Sequence, residues 1–196
     1  MIVRSRLRRG QRQIVNTRQR IVIIGFMGSG KTTVAGALGI KLDCMAVDLD
    51  ELITELHGRT PNEIIVQHGE VIFRELETEA LQHVLRRGPA FVIALGGGAW
   101  TVASIRQLVA ESRAFTVWLD APFELCWARI EAAGKTRPLA RSRTDAEKLY
   151  YDRRPLYELA DVRLPVADGE TAEEIAKKIA AAVRRLTATD PALPQL

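Results

Sequence analysis

The sequence predicts an α/β fold, a parallel sheet covered by helices on both faces. Three observations carry that expectation. Short apolar runs alternate with helix-like segments from residue 20 onward. The runs Ile21-Val22-Ile23-Ile24 and Phe91-Val92-Ile93-Ala94-Leu95 lack the polar alternation of a half-exposed strand and read as strands buried on both faces. A glycine-rich loop joins the first of these runs to a helix-like stretch.

Strands are expected near residues 20–25, 45–49, 90–95, 115–119 and 161–166. Several helix starts are legible. Thr60-Pro61-Asn62-Glu63 combines an N-cap threonine, proline at the first helical position and a capping-box glutamate, so a helix should begin at Pro61. Pro122 opens another that runs toward Gly134. Thr171 and Glu174 repeat the capping box, and Ile175, Ile179, Val183 and Leu186 follow at helical spacing as an apolar stripe destined for the core.

At 196 residues, 47% hydrophobic and 27% charged, the chain has room for one domain with one core. No apolar run reaches the length of a membrane span, and Cys44 and Cys126 are too few for a disulfide framework or a metal-binding cluster. A reducing, cytoplasmic setting is expected. Of the 28 basic residues, seven arginines fall in residues 1–20, where no acid occurs, which leaves 21 basic against 24 acidic residues in the body. Residues 1–19 are therefore read as a solvated, disordered extension, 20–187 as the domain and 188–196 as a C-terminal tail marked by Pro191 and Pro194. A transit peptide is the competing reading of the arm, and its single serine and single threonine stand against it. Twenty residues do not hold a helix-turn-helix, so nucleic-acid contact by the arm is not expected beyond sequence-blind charge attraction. With no broad apolar face beyond the core stripes, a monomer is the expected state.

The strongest chemical signal is Gly25-Phe26-Met27-Gly28-Ser29-Gly30-Lys31-Thr32, which satisfies G-x-x-x-x-G-K-[ST] between a strand and a helix. Backbone N–H groups at such a helix start face phosphate oxygens, the lysine neutralises the β and γ phosphates, and the threonine hydroxyl ligates Mg²⁺. A triphosphate nucleotide is the expected ligand. Asp48-Leu49-Asp50 closes the second strand, at the sheet edge where ligands bind in open parallel sheets. Read as a strand end, this spacing points both carboxylates the same way, one toward Mg²⁺ through water and the other toward the acceptor. Read as a helix start, it supplies an N-cap and a first-turn acid. Arg74 on the helix after Pro61 is placed either for a bidentate contact with a substrate carboxylate or for a surface ion pair with Glu77. Gly96-Gly97-Gly98 follows a strand, where three glycines let the backbone approach a ligand closely. Arg137, in the Gly- and Pro-punctuated stretch 134–143, reads as a lid arginine over the triphosphate or as a solvated loop charge. Arg153-Arg154-Pro155-Leu156-Tyr157 is a second basic cluster, ambiguous when taken alone.

Taken in order, these pieces resemble the shikimate kinase family. Its G-x-x-G-x-G-K-[ST]-T, D-x-D, G-E-x-x-F-R, G-G-G-A, R-P-L and R-x-P-L-Y elements stand here as Gly25–Thr33, Asp48–Asp50, Gly69–Arg74, Gly96–Ala99, Arg137–Leu139 and Arg153–Tyr157. The resemblance implies a P-loop, nucleoside-monophosphate-kinase-like three-layer sandwich with a five-stranded parallel sheet in the order 2-3-1-4-5. It implies transfer of the ATP γ-phosphoryl group to the 3-hydroxyl of shikimate, in chorismate and aromatic amino acid biosynthesis. Gly28, Ser29, Gly30, Lys31, Thr32, Thr33 and Arg137 would hold ATP, with Thr32 and, through water, Asp48 arranging Mg²⁺. Asp50, Arg74, Gly97 and Arg153 would hold shikimate within a substrate-binding segment at about 50–88. Lys31, Asp50 as base and Arg137 would be catalytic. Ala46, Thr54, Trp100, the Pro-Leu-Ala lid and Ala167-Asp168-Gly169-Glu170 depart from the family pattern, the last by lacking a proline on the adenine side. Two other readings compete: a related P-loop kinase of another polyol or sugar acid such as gluconate, and a non-catalytic sensor on a kinase-like fold.

Overall fold

The structure, a computed structural model, describes residues 20–87, 90–134 and 142–189. The expected extension 1–19, most of the expected lid (135–141, with Arg137) and residues 190–196 lie outside the described residues. Five strands, β1 (Ile21–Ile24), β2 (Met45–Asp48), β3 (Ala90–Ala94), β4 (Phe115–Asp120) and β5 (Val162–Pro165), form one sheet in the order β2-β3-β1-β4-β5, and every pairing is parallel. Consecutive residues of β1 and of β4 are buried, so both faces of the sheet centre are covered, as the unbroken apolar runs require. The edge strand β5 alternates between half-buried and exposed positions instead.

Among the described residues the strands are connected and covered by the α-helical spans α1 (Lys31–Leu42), α2 (Leu49–His57), α3 (Pro61–Arg87, broken by a kink at Gly69 with φ +86°), α4 (Ala103–Glu111), α5 (Phe123–Ala132), α6 (Arg143–Tyr157) and α7 (Ala172–Thr189), with a 3-10 turn over Ala99–Thr101. The two capping boxes form as expected. Thr60 N–H donates to Glu63 at 2.7 Å before α3, and Thr171 N–H to Glu174 at 2.9 Å before α7. Helices α1 and α7 pack on each other, burying Leu38 and Val34 on one side and Ile175, Ile179 and Val183 on the other. Helix α7 continues to Thr189, two residues into the segment expected to be tail.

The stretch expected to be strand through residue 49 turns one residue earlier. Leu49 already belongs to α2, and Asp48 is its N-cap, with its carboxylate accepting from Asp50 N–H at 2.9 Å and Glu51 N–H at 3.3 Å. The first amides of a helix lack backbone partners, and an aspartate at the strand end supplies one. Because the strands are parallel, their carboxyl ends, Ile24, Asp48, Ala94 and Asp120 among them, gather at one edge of the sheet. The phosphate loop, the glycine triplet and the start of α2 all leave from that edge.

Candidate active site

The phosphate loop runs from β1 into α1. Gly28 has φ +78°, and a Cβ there would stand 2.5 Å from the Cys126 carbonyl oxygen on α5, so both conformation and space demand glycine. Gly30 caps α1 without a side-chain hydrogen bond, which leaves the first-turn amides directed outward for an anion. The Lys31 ammonium donates to the Phe26 carbonyl at 2.9 Å and so lies folded over the loop. Thr32 Oγ1 donates to Asp48 Oδ2 at 2.5 Å, which sets two hard oxygen donors side by side at the loop's edge.

Beside the loop is a pocket lined by Met27, Asp50, Phe73, Arg74, Glu77, the glycine triplet and Arg153, with Pro61, Asn62 and Ile65 on its outer wall. Each glycine of the triplet has its own spatial reason. A Cβ on Gly96 would fall 2.6 Å from Glu77 Oε1 and 2.7 Å from Asp50 Oδ1. The Gly97 carbonyl accepts from Arg153 Nη1 at 3.1 Å and from the Tyr157 hydroxyl at 2.5 Å, while a Cβ at Gly97 would meet the Met27 backbone of the phosphate loop at 3.1 Å. A Cβ on Gly98 would overlap Arg74 Nη2 and stand 3.2 Å from Arg153 Nη2, so two guanidiniums from α3 and α6 converge on that one position. The pocket is thus cationic at Gly98 and acidic at Gly96. That polarity suits a small acceptor with an anionic group at one end and hydroxyls at the other.

The family model described as shikimate kinase matches residues 27–184. The chain belongs to the shikimate kinase family. Its members are ATP-dependent phosphotransferases. The chain is 35% identical over 185 residues to the shikimate kinase of Cereibacter sphaeroides, covering 93% of this chain and 89% of that protein. The shikimate kinase from Acinetobacter baumannii, solved in complex with shikimate, superposes with a TM-score of 0.78 at 32% identity, over 87% of this chain and 94% of that one. A gluconokinase from Sinorhizobium meliloti shares the fold, with a TM-score of 0.60 at 19% identity over 86% of this chain and 93% of that one.

Against that family pattern, Asp50, Arg74, Gly97 and Arg153 meet at one pocket, and Gly28 to Thr33 form the adjoining loop and helix start. Asp48 and Asp50 do not act as a strand-borne pair. Asp48 turns to Thr32 and caps α2, whereas Asp50, two residues on, lines the pocket beside the phosphate loop. Nor is Arg74 with Glu77 a surface pair: Arg74 Nη1 meets Glu77 Oε2 at 2.7 Å, and the Glu77 side chain is fully buried. Burial pushes the Glu77 carboxyl up to about 7, against the opposing pull of Arg74 and with a further push from Asp50. Burial works against the Arg74 charge, yet Glu77 and Glu70 together hold its pKa above the ordinary range.

The sequence marks Gly98 only as part of the glycine triplet, and it gives Tyr157 and Arg129 no site role. Tyr157 stands inside the quoted R-x-P-L-Y stretch, so a signal was there. Arg129 had none; its Nη1 donates to the Gly28 carbonyl at 3.2 Å from α5, a contact made by chain segments a hundred residues apart. Trp100, a departure from the family pattern, ties the triplet to α6 by donating Nε1–H to the Leu156 carbonyl at 2.9 Å. The atypical loop after β5 closes on itself, with Ala167 N–H donating to Glu170 at 3.1 Å and Glu170 paired with Lys178 of α7.

Proposed function

We propose that this chain transfers the γ-phosphoryl group of ATP to the 3-hydroxyl of shikimate, giving 3-phosphoshikimate and ADP on the route to chorismate. The observation that carries the acceptor assignment is the meeting of Arg74 and Arg153 at Gly98, in the pocket that Asp50 also lines. Two guanidiniums suit a planar carboxylate through paired N–H donors. Asp50, whose Oδ1 lies 2.7 Å from where a Gly96 Cβ would stand, would bond the acceptor hydroxyls and take the proton of the attacking one. The Gly97 backbone would lie along the ring of the acceptor.

Phosphoryl transfer needs in-line positioning and charge neutralisation more than covalent chemistry. The amides of Gly28 to Thr33 would hold the phosphates, and Lys31 would leave the Phe26 carbonyl to follow the γ-phosphoryl oxygens. Arg137, assigned by its motif, would add a second charge over them. Thr32 and Asp48 fit Mg²⁺, because their paired oxygens are the hard donor set that this ion takes alongside phosphate and water. When bound, Mg²⁺ would neutralise charge on the β and γ phosphates. A monomer as the working unit, and action in the cytoplasm where ATP is the common donor, complete the proposal.

The test is ADP release from Mg²⁺-ATP with shikimate, with gluconate and with no acceptor, for the wild type, Asp50→Asn and Lys31→Ala. Shikimate-dependent release lost at least a hundredfold in both variants is expected. Turnover with gluconate and none with shikimate would move the assignment to another acceptor.

A further inference from the structure

Tyr157 ends α6 in full burial, 1% exposed, with its ring 6.0 Å from that of Trp118. Its hydroxyl donates to the Gly97 carbonyl at 2.5 Å, the same oxygen that Arg153 Nη1 reaches at 3.1 Å from one helical turn earlier. A carbonyl has two lone pairs, and here two donors take them. Burial pushes the phenol up to about 12 against the pull of Arg153, so Tyr157 is a neutral donor at any working pH.

A guanidinium is a rigid fork, so fixing one nitrogen sets the direction of the others. With Arg153 Nη1 held at the Gly97 oxygen, its Nη2 is directed to the Gly98 position where Arg74 also arrives. The orientation of the fork therefore depends on where the Gly97 carbonyl stands, and Tyr157 is the neutral group that holds it there. Trp100 Nε1–H on the Leu156 carbonyl ties the neighbouring backbone of α6 to the same segment, which limits how far α6 can shift to compensate.

We propose that Tyr157 is a positioning residue for the acceptor carboxylate, acting through the Gly97 carbonyl and Arg153 rather than by touching the substrate. The inference rests on the acceptor reading above. Its consequence is specificity: Tyr157 contributes to the preference for acceptors that carry a carboxylate over analogues that carry a neutral group there.

Tyr157→Phe keeps the ring and its packing and removes the hydroxyl alone. In the full chain it should raise KM for shikimate about tenfold, with kcat and KM for ATP within about twofold of wild type. The preference for shikimate over its carboxamide analogue, measured as the ratio of kcat/KM values, should fall by a similar factor. A merely structural role would weaken both acceptors alike and leave that ratio unchanged, and such a result would overturn the proposal, as would an unaltered KM for shikimate. Arg153→Lys with Tyr157 intact is the second probe, since lysine offers a point charge instead of a fork. Its carboxylate preference must fall at least as far, and Tyr157→Phe added to it should cost little more, because both changes act on one contact. Undiminished preference in Arg153→Lys overturns the proposal however Tyr157→Phe folds. Failure of the wild type to phosphorylate shikimate would instead remove the acceptor reading, so the two failures are distinguishable.

Discussion

Arg74 Nη1 donates to Glu77 Oε2 at 2.7 Å, and the carboxyl that receives it has no exposed side-chain surface. Its other oxygen, Oε1, is buried without a hydrogen-bond partner and faces the Gly96 Cα beside Asp50. One pocket-lining arginine is thus held from behind by an acid that burial makes hard to ionise.

This has a measurable pH signature. The folded pKa of Glu77, about 7, lies above its ordinary 4.5, so the native state binds the proton more tightly than the unfolded chain. Stability from this group is full below about pH 4.5 and is lost as pH rises toward 7, on the order of 3 kcal/mol in all. Urea melts at pH 5 and pH 8 should show Glu77→Gln with a smaller loss across that range than wild type. Parallel pH dependences in the two proteins would remove Glu77 as the source.

Gly98→Ala tests the convergence of the two guanidiniums. Gly98 has φ −106°, a conformation open to alanine, and the added methyl would strike the far end of the Arg74 side chain, not backbone. The variant should therefore fold with a melting temperature near wild type, while KM for shikimate rises about ten- to a hundredfold and KM for ATP stays within about threefold. Equal losses for both substrates would place the damage elsewhere.

Gly28→Ala should be worse and of a different kind. The backbone at φ +78° disfavours a side chain, and the new Cβ would press on the Cys126 carbonyl at 2.5 Å, where nothing flexible can yield. A loss of about 2 kcal/mol or more in stability, together with loss of nucleotide binding, is expected by denaturant melts and ATP titration.

Asp48→Asn separates two jobs of one residue. Asparagine caps a helix about as well as aspartate, so α2 should keep its stability within about 0.5 kcal/mol. The charge offered beside Thr32 is gone, and the Mg²⁺ concentration for half-maximal turnover should rise about tenfold. A variant that loses stability but keeps its Mg²⁺ requirement would leave Asp48 as a cap alone.

Much of this molecule is local in origin and was readable from residue order. The unbroken apolar runs at Ile21–Ile24 and 91–95 specify central strands, because a strand buried on both faces has no position for a polar side chain. Thr60 with Glu63, and Thr171 with Glu174, specify helix starts through bonds that span three residues. The phosphate loop is legible for the same reason, as its strand, turn and helix are contiguous. Where two local rules competed, at Asp48-Leu49-Asp50, the unmet amides of a helix start prevailed over continuation of the strand, and the two carboxylates parted.

The pocket beside the phosphate loop is different in kind. Arg74, Gly98 and Arg153 come from three segments of the chain, and nothing in their spacing says that two positive charges share one glycine. Nor does an arginine three residues before a glutamate reveal that the pair is buried, since burial depends on what packs over it. Tyr157 on Gly97 and Arg129 on Gly28 join residues 60 and 101 positions apart. The sequence by itself determined the sheet, the caps, the phosphate loop and the residue types that kinase chemistry needs. The tertiary structure decided which charges are buried and which donors share an acceptor, because both follow from distances that close only when β1, β3, α3, α5 and α6 meet at one edge of the sheet.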